Sequence, residues 1–95
     1  MNNINKILPI GSIVKIEKNK SKIMIVGYLP KANKKTYLYA GILYPYGLFD
    51  FDNYICFNNN IITDTIFKGY DDINYKAFEK GLIAGINKKD INEIF

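Results

Sequence analysis

Lys22-Ile23-Met24-Ile25-Val26-Gly27-Tyr28-Leu29 is apolar on both alternations of an extended chain. Met24, Val26 and Tyr28 fall on one side, and Ile23, Ile25 and Leu29 on the other. A strand with two apolar sides belongs in the middle of a sheet, with neighbours on both edges and cover on both faces. Upstream of it, beyond the turn Lys18-Asn19-Lys20-Ser21, the segment Ser12 to Glu17 sets Val14 and Ile16 against Lys15 and Glu17, a half-exposed strand entered through Pro9 and Gly11. Downstream, Thr36 to Tyr44 sets Leu38, Ala40 and Ile42 against Tyr37, Tyr39, Gly41 and Leu43, and Pro45-Tyr46-Gly47 ends it in a turn. Leu48 to Phe57 reads as a short edge strand or an irregular crossover. Asn58-Asn59-Asn60 opens one helical turn through Ile61 and Ile62, and Thr63 to Lys68, β-branched at Thr65 and Ile66, reads as a further strand stopped by Gly69.

A helix follows. Asp71 is the expected N-cap, with Tyr70 packing on Tyr75 as a hydrophobic staple and Asp72 placing negative charge in the first turn. Tyr75, Phe78 and Leu82 make its apolar stripe, and Gly81 or Gly85 is expected to end it. The predicted fold is therefore α+β: a small, strongly curved antiparallel sheet or SH3-like barrel of four to five strands, followed by a C-terminal helix. Residues 1–95 form a single domain, with a compact core over about 8–84 and a tail or short helix over 87–95.

Composition narrows function. The chain of 95 residues is 48% hydrophobic and 23% charged, as an ordinary folded domain is. It has no His, no Trp and no Arg; all 13 cationic side chains are lysines, and Cys56 is the single cysteine. That inventory leaves a nucleophile without an evident base and a zinc site without ligands, so neither enzyme activity nor a cofactor is expected. The carboxylates Asp50 and Asp52, on one side of a strand, are the one catalytic pair available, and they read as solvated edge charges; Cys56 reads as a small buried apolar residue. Neither a signal peptide nor a run of ~18 apolar residues is present, so a cytoplasmic protein without membrane insertion is expected.

Charge is unevenly spread. Residues 1–35 carry eight lysines against Glu17 alone, a net +7, whereas residues 36–75 carry Lys68 against five aspartates, a net −4. The lysine clusters 18–22 and 31–35 coincide with predicted turns. A small β-barrel that binds nucleic acid needs aromatic platforms within a basic groove, and here the aromatics concentrate at 37–57, where charge is negative. Lysine without arginine also gives phosphate attraction without base readout, so no specific nucleic acid is expected, and a small β-barrel nucleic-acid-binding protein stands as an alternative reading. Tyrosines carry large contact area on few rotors. Tyr37 and Tyr39, opposite Leu38, Ala40 and Ile42, together with Tyr44 and Tyr46 at the next turn, form the candidate binding surface for a protein partner, unless that face is covered by the helix.

Four short strings add a resemblance. Leu8-Pro9-Ile10-Gly11-Ser12-Ile13-Val14, Met24-Ile25-Val26-Gly27, Gly41-Ile42-Leu43-Tyr44-Pro45-Tyr46-Gly47 and Ile66-Phe67-Lys68-Gly69-Tyr70, in that order and spacing, resemble the bacterial family called domain of unknown function 4176 over about Leu8 to Phe78. Members of that family are commonly encoded beside LXG-type toxins and small helical proteins of type VII secretion loci. The resemblance implies an accessory, adaptor or chaperone role toward a secreted toxin or its small helical partner, with a toxin-neutralising immunity protein as an alternative. Tyr28 and Tyr46 depart from the family pattern, each placing an aromatic ring where a charged residue is common.

Overall fold

The computed structural model describes residues 6–48, 50 and 53–88. Five strands make one antiparallel sheet: β1 (Ile13–Ile16), β2 (Lys22–Tyr28), β5 (Tyr39–Tyr44), β6 (Ile55–Phe57) and β7 (Ile62–Phe67), in the order β6-β5-β2-β1-β7. The doubly apolar strand lies at the centre. Between β2 and β5 a small ribbon, β3 (Lys31–Ala32) and β4 (Lys35–Thr36), turns through Asn33 and Lys34, both left-handed at φ 55° and 64°. A 3-10 turn at Asn59–Ile61 leads into β7, and helix α1 (Ile73–Lys88) closes the order.

The sheet stays open. β6 and β7 are its two edges and do not pair with each other, so the barrel alternative is not adopted. β7 is an exposed edge strand with two register shifts against β1, between Ile13 and Val14 and between Lys15 and Ile16. Such bulges twist an edge away from further pairing.

One side of the sheet is the core. Val14, Ile16, Ile23, Ile25, Tyr39 and Phe57 are buried there with Ile7, Leu38 and Ile86. Helix α1 covers it through Tyr75, Leu82, Ile83 and Ile86, while the ring of Phe78 lies 5.5 Å from that of Tyr28. Strict alternation puts Tyr28 on the side of Met24 and Val26, but the register runs Ile25 opposite Gly41 and then Gly27 opposite Ala40. Val26 is the extra residue of a bulge. The bulge returns Tyr28 to the core side, opposite Tyr39.

Three expectations for the helix change. The cap is Asp72, whose Oδ1 accepts the Tyr75 amide at 2.9 Å; Asp71 instead pairs with Lys68 at 2.9 Å and Lys76 at 3.4 Å. Tyr70 is 81% exposed, so it forms no staple on Tyr75. The helix also runs through Gly81 and Gly85 to Lys88. Both glycines face open space, where the missing side chain costs propensity without breaking the hydrogen-bonded ladder. Of the expected tail, Asn87 and Lys88 belong to α1, and 89–95 lie outside the described residues.

Candidate protein-binding surface

The four tyrosines singled out by alternation do not share a surface. Tyr39 is fully buried. Its hydroxyl accepts the Leu8 amide at 3.0 Å and donates to Asn59 Oδ1 at 2.7 Å, and its ring packs 5.3 Å from Phe57 and 6.1 Å from Tyr28. It is a core residue, and the helix-covered face is where alternation placed the binding face. Tyr37 is half-buried before β5, its amide bonded to Pro30 O and its ring 5.3 Å from Lys35 Nζ. Tyr44 and Tyr46 are exposed, at 42% and 66%, at the far end of the strand. Seven residues of extended chain, roughly 23 Å, separate Tyr37 from Tyr44.

Three tyrosine hydroxyls instead fasten the segment before β1. Tyr28 donates to Leu8 O at 2.6 Å, Tyr75 donates to Ile7 O at 3.0 Å, and Tyr39 holds the Leu8 amide. Asn59 completes the set by donating from Nδ2 to Lys6 O at 3.1 Å. Burial, with Glu79 nearby, pushes the Tyr28 phenol up to about 12, and burial also raises Tyr39 and Tyr75. Cys56 is half-buried rather than buried as expected, and partial desolvation raises its thiol as well. All four groups are held protonated at neutral pH. Asp50 is exposed and Asp52 lies outside the described residues, so the paired-carboxylate reading does too; among the described residues no three metal-ligating side chains come together.

The surface that alternation missed is the other side of the sheet. Val26, Ala40 and Ile42 face away from the helix and, with Gly27 and Pro30, floor a groove of about 240 Å³ walled by Leu48 and Tyr54. Val26, Leu48 and Tyr54 are 39%, 47% and 39% exposed. The sequence signal is the second apolar alternation of β2, and the described residues cover that side only in part: Ile42 is buried and Met24 half-buried, while Val26 stays exposed. Lysines stand at both ends of β2. Lys18, Lys20 and Lys22 lie exposed at the start of β2, and Lys31, Lys34 and Lys35 lie exposed on the β3–β4 ribbon beyond its end. Residues 18–35 hold these six lysines and no acidic residue.

Fold and surface together define a small α+β domain with one sheet face covered by the helix and, among the described residues, one partly open. The chain belongs to the family described as domain of unknown function (DUF4176), which it matches over residues 7–78. No curated protein and no solved structure matches it. Two of the quoted strings meet in space. Gly69 passes so close to Ile10 that a Cβ there would overlap the Ile10 carbonyl oxygen, and its amide donates to the buried Ser12 Oγ at 2.9 Å. Another string, Met24 to Gly27, contains the bulge that re-aims Tyr28. These strings build the fold, and only Val26, Gly27 and Ile42 among them also line the groove. Among the described residues, no helix is long and apolar enough to cross a membrane.

Proposed function

We propose that this protein is a non-catalytic accessory of a type VII secretion locus, an adaptor or chaperone that binds a secreted LXG-type toxin or that toxin's small helical partner in the cytoplasm. The observation that carries the reading is the apolar groove on the sheet side opposite the helix, where Val26, Leu48 and Tyr54 are exposed around the buried Ile42. A contiguous apolar face on a domain this small is a liability unless a partner covers it. Family membership supports the secretion setting through the gene neighbourhood expected of the family. Tyr44 and Tyr46, exposed at the end of β5, extend the same reading beyond the groove.

Co-expression with the adjacent toxin tests it. The expected result is a soluble complex that co-purifies through size exclusion, together with lower toxin export when this gene is deleted. Intact export with no complex would overturn the reading, and survival of toxin-exposed cells only when this gene is present would replace the adaptor with an immunity protein.

A further inference from the structure

We infer that the groove on the open sheet face receives one amphipathic helix of a protein partner, lying along β2 with its apolar stripe on Val26, Ala40, Ile42, Leu48 and Tyr54 and with acidic residues at both of its ends. This rests on the protein-binding reading above and adds the place and the chemistry of the partner.

The charge argues for acidic ends. β2 spans seven residues, roughly 23 Å of extended chain. At one end stand Lys18, Lys20 and Lys22, at the other Lys31, Lys34 and Lys35, all exposed. The register places Lys22 opposite Tyr44 and Met24 opposite Ile42, so Lys22 shares the open side with the groove. The acidic residues nearest in sequence to the two clusters are Glu17, before the first, and Asp50 and Asp52, between Leu48 and Tyr54; Asp64 lies opposite Lys15. Neither lysine cluster contains a carboxylate of its own.

The backbone argues for a helix. β2 is paired on both edges, with β1 and β5, so its ladder groups are spent inside the sheet. An extended peptide laid across an apolar face would leave its own amides and carbonyls without partners there, which costs about 1–3 kcal/mol for each one buried. A helix satisfies them internally and presents only side chains. About fifteen helical residues cover the same ~23 Å, which puts one acidic end over each lysine cluster. A second copy of this chain fits poorly, because its own groove lies between the same lysine clusters. The exposed side chains Phe67, Tyr70 and Ile73, at the junction of β7 and α1, do not suit this helix either, since Asp71 and Asp72 stand among them.

The test uses the full chain, isotope-labelled for NMR, and a synthetic stapled helix of about fifteen residues with a leucine stripe and glutamates at both ends. Its twin carries lysines in place of those glutamates. Amide shifts are expected at Val26, Ala40, Ile42, Leu48 and Tyr54, and the lysine-ended twin is expected to bind at least ~10-fold more weakly. Val26→Asp should weaken the acidic peptide by a similar factor. Because a bulge residue carries some folding risk, Lys20→Glu with Lys22→Glu provides the second arm: these exposed changes should lower affinity for the acidic peptide and raise it for the lysine twin. Equal binding of both peptides, no binding, shifts centred on Phe67 to Ile73, or displacement of the peptide by single-stranded RNA at lower concentration would each overturn the inference. Toxin capture that persists in Val26→Asp would move the site and leave the adaptor reading standing. Peptide binding without toxin capture would do the reverse.

Discussion

Tyr39 shows how much one side chain does here. Its ring fills the space between Tyr28 and Phe57, and its hydroxyl joins the Leu8 amide to Asn59. Tyr39→Phe keeps the ring but removes the hydroxyl bonds to the half-buried Leu8 amide and to the exposed Asn59 side chain, an expected loss of about 1 kcal/mol. Tyr39→Ala also opens a cavity and is expected to cost roughly 3–5 kcal/mol, much of the stability of a domain this size. Urea unfolding of both variants checks this, and an unchanged midpoint for either would contradict it. Alternation alone could not assign this residue. Tyr37, Tyr39, Gly41 and Leu43 and their opposites are both apolar enough to face a core, and the choice was made by Gly41. A Cβ at Gly41 would lie 2.5 Å from Ile23 Cγ2 and 3.0 Å from Phe57 Cε1, so this side of β5 sits tight against the packed face. Gly41→Ala is therefore expected to destabilise in the same assay, although alanine is the smallest change available.

At the scale of elements, what the sequence announced and what it hid have separate causes. The central place of β2, the half-exposed β1, the strand expected over Thr63 to Lys68, found as β7 at Ile62–Phe67, and the helix after Gly69 all follow from local patterns, and all four are present. The bulge at Val26 was hidden, because a register shift is set by two strands at once and leaves no mark in either alone. The cap was misplaced by one residue, since Asp71 and Asp72 are equally good cap chemistry and the choice fell to Lys68 and Lys76, which hold Asp71 and keep its carboxyl below the usual range. The groove was half legible: its apolar floor is plain in β2, but its walls come from Leu48 and Tyr54, far along the chain. The glycines of α1 give the cleanest element-scale prediction. Gly81 and Gly85 are helical and exposed, with nothing within 4 Å of an added Cβ. Gly81→Ala and Gly85→Ala should each stabilise by about 0.5–1 kcal/mol, a rise in melting temperature of several degrees. Asp72→Ala should lower stability by ~1 kcal/mol through loss of the cap. Calorimetry on the three variants reads all of these signs.

For the whole molecule, the tyrosine hydroxyls tie three parts of the chain to the segment before β1. Tyr28 from β2, Tyr39 from β5 and Tyr75 from α1 all bond Ile7 or Leu8, so the sheet and the helix share one anchor. That anchor needs the phenols protonated, because each donates a hydrogen bond to a carbonyl or amide oxygen. In the unfolded chain a tyrosine loses its proton near 10, whereas folded Tyr28 keeps its proton to about 12. Tyr39 and Tyr75 are raised in the same direction. Above pH 10 the unfolded state therefore binds fewer protons than the folded one, and stability must fall as pH rises. The contribution is complete below pH 10 and is lost progressively between about 10 and 12 for Tyr28. Urea midpoints measured across that window should drop, and phenolate absorbance of the native protein should lag behind that of the denatured chain until the fold gives way. Tyr28→Phe supplies the control. It removes one titrating hydroxyl and leaves every lysine in place, so the difference between the two stability curves isolates the phenol from all other alkaline effects. The variant should be less stable at neutral pH, where the Leu8 carbonyl loses its donor, yet decline less steeply above pH 10. Parallel curves would mean that the Tyr28 hydroxyl ionises alike in the folded and unfolded chain, and that the anchor contributes nothing to the pH dependence.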